Sequence, residues 1–328
     1  MRIMQGVFSP KDTNGNPVHA HGGQILRGPD GYWYWIGEDR TCRSKVSCYR
    51  SANLSQWEFR NHILTVDSVR RRHPYLITDL RLDVPGHRAS IGVGCNIERP
   101  KVLYDAVRKR WVLWMHWELP DDYSAARCAV AVCDRIDGDY TYLGSFNPIG
   151  SMSRDCTVFQ EDDGTAYFIS TARENMDIHV YRLTEDYLAV DRLVRVLWPG
   201  QQREAPTLFQ RHGRCLMLTS ACTGWKPNQS SYAYANQPDG GWSLRFPFGD
   251  GTTYHSQPTW VFPVRDATTG EEVYWYLGDR WGGGGEDYFR SSYVLLPIRF
   301  VSDTELFLEK PESEPEQDAD GDFSISGE

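Results

Sequence analysis

Helical periodicity is nearly absent from this 328-residue sequence, which argues against helix bundles and helix-wrapped parallel sheets. No CxxC pair occurs among its eight cysteines, Cys42, Cys48, Cys95, Cys128, Cys133, Cys156, Cys215 and Cys222. Paired-thiol zinc sites need such spacing, so the expectation is free, buried thiols in a reducing compartment. The histidines His19, His21, His116 and His255 also lack zinc spacing, and neither a metal nor a cofactor is expected. No stretch is apolar enough to span a bilayer. The start, Met1-Arg2-Ile3-Met4-Gln5, does not read as a secretory leader. These features favour a cytoplasmic location, or export if a leader has been trimmed. Positive charge is in deficit, with 35 Lys+Arg against 44 Asp+Glu and a net charge of −9. That balance argues against nucleic acid or an anionic membrane as partner. The one basic cluster, Arg70-Arg71-Arg72, is diluted by Asp67, Asp79 and Asp83 and reads as a solvated loop.

Aromatic residues, by contrast, reach 13%, with 12 Trp and 18 Tyr, and there are 29 Gly. Abundant rings and turn residues suit an all-β protein, a frequent profile among proteins that handle carbohydrate. The chain carries one recurring unit: a short strand, a turn with Gly or Asp, and a second aromatic strand. The clearest copy runs from Gly23-Gln24-Ile25-Leu26 through Pro29-Asp30-Gly31 to Tyr32-Trp33-Tyr34-Trp35-Ile36. Copies start near positions 21, 98, 155, 204 and 257, in steps of 77, 57, 49 and 53 residues. Hairpins repeating at such intervals predict a five-bladed β-propeller over residues 1–310. The long first step holds an insertion over 60–95, and the acidic, Pro- and Ser-rich segment 311–328 reads as a disordered tail.

In a propeller, equivalent starts of the innermost strands meet at one mouth of the central channel. Here those starts carry His21, Glu98, Asp155, Glu204 and Gln257. Three acids meeting on one axis repel one another, which points to a site rather than to architecture. Converging carboxyl groups among many aromatics fit glycoside hydrolysis, which needs a protonated acid and a second group on the opposite face of the sugar. Asp155 crowding Glu204 would raise the pKa of Glu204, making Glu204 the general acid and Asp155 its tuner. The bland alternative for Glu204 is an ion pair with Arg203 or a neighbouring Arg.

These residues resemble glycoside hydrolase family 43, five-bladed inverting enzymes, and within it the exo-β-1,3-galactanase branch. The segments that carry the resemblance are His19-Ala20-His21-Gly22-Gly23, Ser153-Arg154-Asp155, Arg203-Glu204-Ala205-Pro206-Thr207, Cys222-Thr223-Gly224-Trp225-Lys226-Pro227-Asn228-Gln229, His255-Ser256-Gln257-Pro258 and Gly278-Asp279-Arg280-Trp281. The resemblance implies release of galactose from the non-reducing end of β-1,3-galactan, the backbone of type II arabinogalactan. The wider family opens its first blade with a general-base aspartate, whereas this sequence has His21-Gly22-Gly23 there, as the galactanase branch does. In that branch a fifth-blade glutamine, matched by Gln257, holds the attacking water, and Glu98 is the competing base. The resemblance also implies a sugar pocket formed by Glu38, His21, Asn175, Thr223, Trp225, Asn228 and Trp281. Two other readings stay open: a different exo-glycosidase of the same fold (α-L-arabinofuranosidase or β-galactofuranosidase), and a sugar-binding propeller without catalysis.

Overall fold

A computed structural model describes residues 6–42, 44–73, 95–119, 122–266, 269–282 and 290–310, and the short strand pair 316–317 with 323–324. Among these residues there is no α-helix; strands account for the architecture, with a 3-10 turn at Pro148–Gly150. After a short β1 (Gly6–Phe8), the first blade is β2 (His21–Arg27), β3 (Trp33–Glu38), β4 (Val46–Ser51) and β5 (Glu58–Leu64). The second is β6 (Asn96–Asp105), β7 (Arg110–Leu119), β8 (Asp122–Cys133) and β9 (Thr141–Phe146). The third is β10 (Cys156–Gln160), β11 (Ala166–Ala172), β12 (Asp177–Leu183) and β13 (Val190–Leu197). The fourth is β14 (Arg203–Arg211), β15 (Arg214–Ala221), β16 (Ser230–Ala235) and β17 (Phe246–Phe248). The fifth is β18 (Gln257–Arg265), β19 (Glu272–Arg280) and β20 (Ser292–Phe300), completed by β1 at one end of β20 and β21 (Leu306–Leu308) at the other.

Within each blade neighbouring strands pair antiparallel, and the five inner strands β2, β6, β10, β14 and β18 stand side by side around the axis. Each sheet is covered on both faces by its neighbours. The second strands are therefore buried throughout and read as apolar runs, as in Trp33-Tyr34-Trp35-Ile36 and Trp111-Val112-Leu113-Trp114-Met115. Apolar packing fills all five gaps between blades: Trp117 with Ile36, Trp114 with Phe168, Met217 with Ile169, Tyr276 with Leu218, and Trp35 with Leu277 are members of the respective clusters. Burial of this kind, at roughly 25 cal/mol per Å² of apolar surface, is what holds the blades in a ring.

Four of the five inner strands carry a bulge beside the mouth of the channel, β18 slipping between Pro258 and Trp260, and the other three share one form. Register slips after His21, Glu98 and Glu204, and the next residue adopts positive φ: Gly22 (+58°), Arg99 (+54°) and Ala205 (+53°). A bulge leaves one residue unpaired and re-aims the side chain beside it. Glycine is required at position 22, because a Cβ there would lie 2.1 Å from Glu38 Oε1. Arg99 and Ala205 have no such relief, and a left-handed conformation costs a non-glycine residue about 1 kcal/mol. Arg70, Arg71 and Arg72 are exposed, with the Arg71 N–H donating to Tyr142 O. Most of the insertion, 74–94, and the tail apart from 316–317 and 323–324 lie outside the described residues.

Candidate active site

The inner-strand starts meet as the spacing implies for four blades of five. Glu98, Asp155, Glu204 and Gln257 line one cleft of about 250 Å³, with Glu38, Arg40, Arg99, Tyr123, Gly224, Trp225 and Trp281 around them. Arg99 forms its floor. Its guanidinium donates to Asp155 Oδ2 (2.9 Å), Gln257 Oε1 (2.5 Å) and Pro258 O (3.0 Å), while its backbone N–H donates to Glu38 Oε1 (2.9 Å). The Arg99 bulge thus ties the first, second, third and fifth blades together at the bottom of the cleft.

Glu204 is placed to hold a proton. Burial first, and then the adjacent Asp155 carboxylate, push its pKa up to about 8, against a pull from Arg99. Asp155 is itself pinned by Arg99 and by the Ala205 N–H (3.0 Å). Burial is the larger cause, a contribution that strand spacing alone does not reveal. The Arg203 guanidinium bonds Thr219 and Ser231, so the ion pair with Arg203 does not form; of the neighbouring arginines, Arg99 acts on Glu204 through its charge. Glu204 instead accepts from Gln257 Nε2 (2.9 Å) and Asn175 Nδ2 (3.4 Å).

Gln257 is saturated. Its Nε2 donates to Glu204 and to Ser220 Oγ (3.0 Å), and its Oε1 accepts from Arg99 and Trp281 Nε1 (2.6 Å). An amide has two N–H donors and two lone pairs on oxygen, and all four are used. Glu98 faces the same cleft from β6. One oxygen accepts from Tyr123 OH, and the other lies 3.0 Å from His116 Nδ1. Burial would raise the Glu98 pKa, but His116 and Tyr123 hold it well below the usual carboxylate range. Burial pushes Glu38 in the opposite direction, upward, with Arg40 3.2 Å away pulling against it.

The expected sugar-contacting residues separate into two groups. Trp225, 42% exposed, and Trp281 form one wall, their rings edge to face at 5.8 Å, and Glu38 lies against the floor. His21 is fully buried beneath the cleft: its Nδ1 lies 3.0 Å from Asp279 Oδ1 and its ring stacks on Tyr293 at 4.3 Å. Its place is structural, because blade packing covers the ring. Thr223 and Asn228 spend their polar atoms shaping the loop that carries Trp225: Thr223 Oγ1 donates to Lys226 O (2.6 Å), and Asn228 bonds Ala221 and Thr223. Asn175 lies beside Glu204 outside the cleft lining.

Sequence reasoning passed over Arg99, Arg40 and Tyr123. Arg99 had a signal, since it follows Glu98 as Ala205 follows Glu204, each preceding a proline. Arg40 and Tyr123 are brought in from loop and strand ends that no repeat marks. Among the described residues, the grouping with donor spacing suited to a metal is Glu98, His116 and Asp155, whose donor atoms lie within 4.8 Å of one another. Both ring nitrogens of His116 already face carboxylates, so the grouping reads as an ion-pair network and not as a metal centre.

Comparison with known proteins accords with this geometry. Residues 100–247 match the glycosyl hydrolases family 43. No curated protein sequence matches the chain. Among solved structures, an exo-β-1,3-galactanase from Clostridium thermocellum is 45% identical, with a TM-score of 0.80 over 93% of this chain and 65% of that one. A family 43 β-1,3-galactosidase is 33% identical, with a TM-score of 0.78 over 93% of this chain and 62% of that one. An exo-β-1,3-galactanase from Phanerochaete chrysosporium, solved with β-1,3-galactotriose as a Glu-to-Gln variant, is 27% identical, with a TM-score of 0.78 over 98% of this chain and 70% of that one. The chain spans less than two thirds of the first two relatives. With the propeller, the cleft and these likenesses in agreement, the chain belongs to glycosyl hydrolase family 43.

Proposed function

We propose that this protein is an inverting exo-glycosidase that releases galactose from the non-reducing end of β-1,3-galactan. The observation that carries the reading is Glu204, a carboxyl group kept protonated near neutral pH by burial and by Asp155 at the edge of a cleft with tryptophan on one wall. A protonated acid is what departure of the glycosidic oxygen requires; Gln257 and Asn175 hydrogen-bond Glu204, and Asp155, held by Arg99, fixes the backbone beside it through the Ala205 N–H. The Trp225 and Trp281 rings suit the apolar face of a galactose ring. The three solved relatives are two exo-β-1,3-galactanases and a β-1,3-galactosidase.

Gln257 is the proposed holder of the attacking water, and one of its four hydrogen bonds must be exchanged when sugar enters. A specific observation favours Glu98 as the second reading: it is ionised and keeps lone pairs facing the cleft. Sodium azide separates the two, because a small anion replaces a missing base. It should restore turnover to the Gln257→Ala variant and leave Glu98→Ala unrescued; the reverse pattern moves the base to Glu98.

The overall reading is tested on β-1,3-galactobiose and longer oligomers. The expected product is galactose alone, appearing first as the α-anomer by NMR. Internal fragments without galactose contradict the exo mode, and turnover confined to arabinofuranosides or galactofuranosides moves the chain to another activity on the same fold. Calorimetric binding without hydrolysis would leave a sugar-binding propeller. A cytoplasmic setting is part of the proposal, supported by eight free cysteines, five of them buried.

A further inference from the structure

The cleft depends on a line of charge that runs away from it into the second blade. His116 and Glu118, both on β7, are 1% and 0% exposed. His116 Nδ1 lies 3.0 Å from Glu98 Oε2, and its Nε2 lies 3.0 Å from Glu118 Oε1. The remaining Glu118 oxygen accepts the Ala126 N–H at 2.9 Å. A backbone amide thus anchors Glu118, Glu118 holds His116, and His116 holds Glu98 at the cleft.

A neutral imidazole has one N–H and one lone pair, so it can satisfy only one of two flanking carboxylates. Nε2 hydrogen-bonds Glu118, and Nδ1 meets Glu98 as a close ion-pair contact; between two ionised carboxylates the imidazolium is the state that balances the charge. Burial would strip that charge, but Glu118 and Glu98 outweigh it and hold the His116 pKa up at about 9. Other charged and titratable groups also face Glu98. Glu38 and Arg40 come from the first blade, Arg99 from the same strand, Tyr123 from β8 and Asp155 from the third blade. Without the imidazolium, Glu98 would confront Glu38 and Asp155 and take up a proton to relieve the repulsion.

We propose that His116 and Glu118 are positioning residues that keep Glu98 a charged acceptor in the cleft, as needed whether it holds a sugar hydroxyl or the attacking water. The inference rests on the glycosidase reading for its catalytic consequence only. The charge state itself is read directly, by imidazole 15N NMR titration of the intact protein, with the His116 signal assigned from its loss in His116→Gln. His116 should remain protonated to about pH 9. In Glu118→Gln its titration should fall by at least a unit. An ordinary titration near 6.5 in the unsubstituted protein overturns the proposal.

In kcat/KM profiles on β-1,3-galactobiose, His116→Gln and Glu118→Gln should both raise the acidic limb by about a pH unit or more, since Glu98 then protonates within the working range. A uniform, pH-independent loss in both variants indicates mere packing and also overturns it. If the unsubstituted protein releases no galactose, the glycosidase reading fails, and the NMR arm still decides the charged line by itself.

Discussion

Glu204 shows how a single side chain acquires a role its sequence position only hints at. Replacing it with Gln should lower kcat by about 10²–10⁴-fold or more on galactobiose, with the fold retained by circular dichroism. It should also stabilise the protein in a pH-dependent way. The carboxyl titrates higher folded than unfolded, so its contribution is full below the ordinary value near 4.5 and is lost as pH rises toward about 8. At pH 7 the Glu204→Gln variant should therefore be more stable to urea than the unsubstituted protein by something on the order of 3 kcal/mol, and at pH 4 the two should coincide. Equal stability at both values would mean that Glu204 is ordinary. Trp225→Ala should raise KM several-fold with little change in kcat, since the exposed ring offers a stacking surface and no charge. At this scale the acids were readable because like charges at equivalent repeat positions demand a reason. For Arg99 the shared place before a proline marked the position but not the role, because its contacts reach blades remote in sequence, to Asp155 and Gln257.

At the level of elements, the bulges do what a regular strand cannot. Gly22 sits in the first of them, and Gly22→Ala would drive a methyl group into Glu38 Oε1 as well as straining φ. The expected result is a displaced Glu38, a KM at least several-fold higher and a loss of about 1–3 kcal/mol in urea unfolding. Unchanged kinetics would separate Glu38 from the sugar. Inner hairpins were legible because turn chemistry such as Asp162-Asp163-Gly164 sits between apolar runs. Outer strands were less so. β13, Val190-Asp191-Arg192-Leu193-Val194-Arg195-Val196-Leu197, is largely exposed, so nothing forces a clean alternation upon it, and β17 is only three residues long.

The whole molecule depends on closing the ring, and the closure uses strands outside the repeat. β1 pairs with β20 through Gly6, Val7 and Phe8, and the Phe8 ring lies 6.4 Å from Trp35 and 5.9 Å from Tyr293, bridging the last blade to the first. Removing residues 1–9 should lower Tm by several degrees and weaken galactose release, because the His21–Asp279 contact spans that same seam. An unaltered melting curve would show that the fifth blade closes without β1. The sequence by itself determined the class of fold, the number of blades and the acids of the inner-strand starts, since each follows from local alternation, turn residues and a repeat that survives inspection in one dimension. Only the tertiary structure decided that His21 lies buried beneath the cleft, that Arg99 forms its floor, that burial outweighs repulsion at Glu204, and that Glu98 leans on His116 and Glu118. Those outcomes depend on distances across blades and on exclusion of water. Neither quantity exists until the ring has closed.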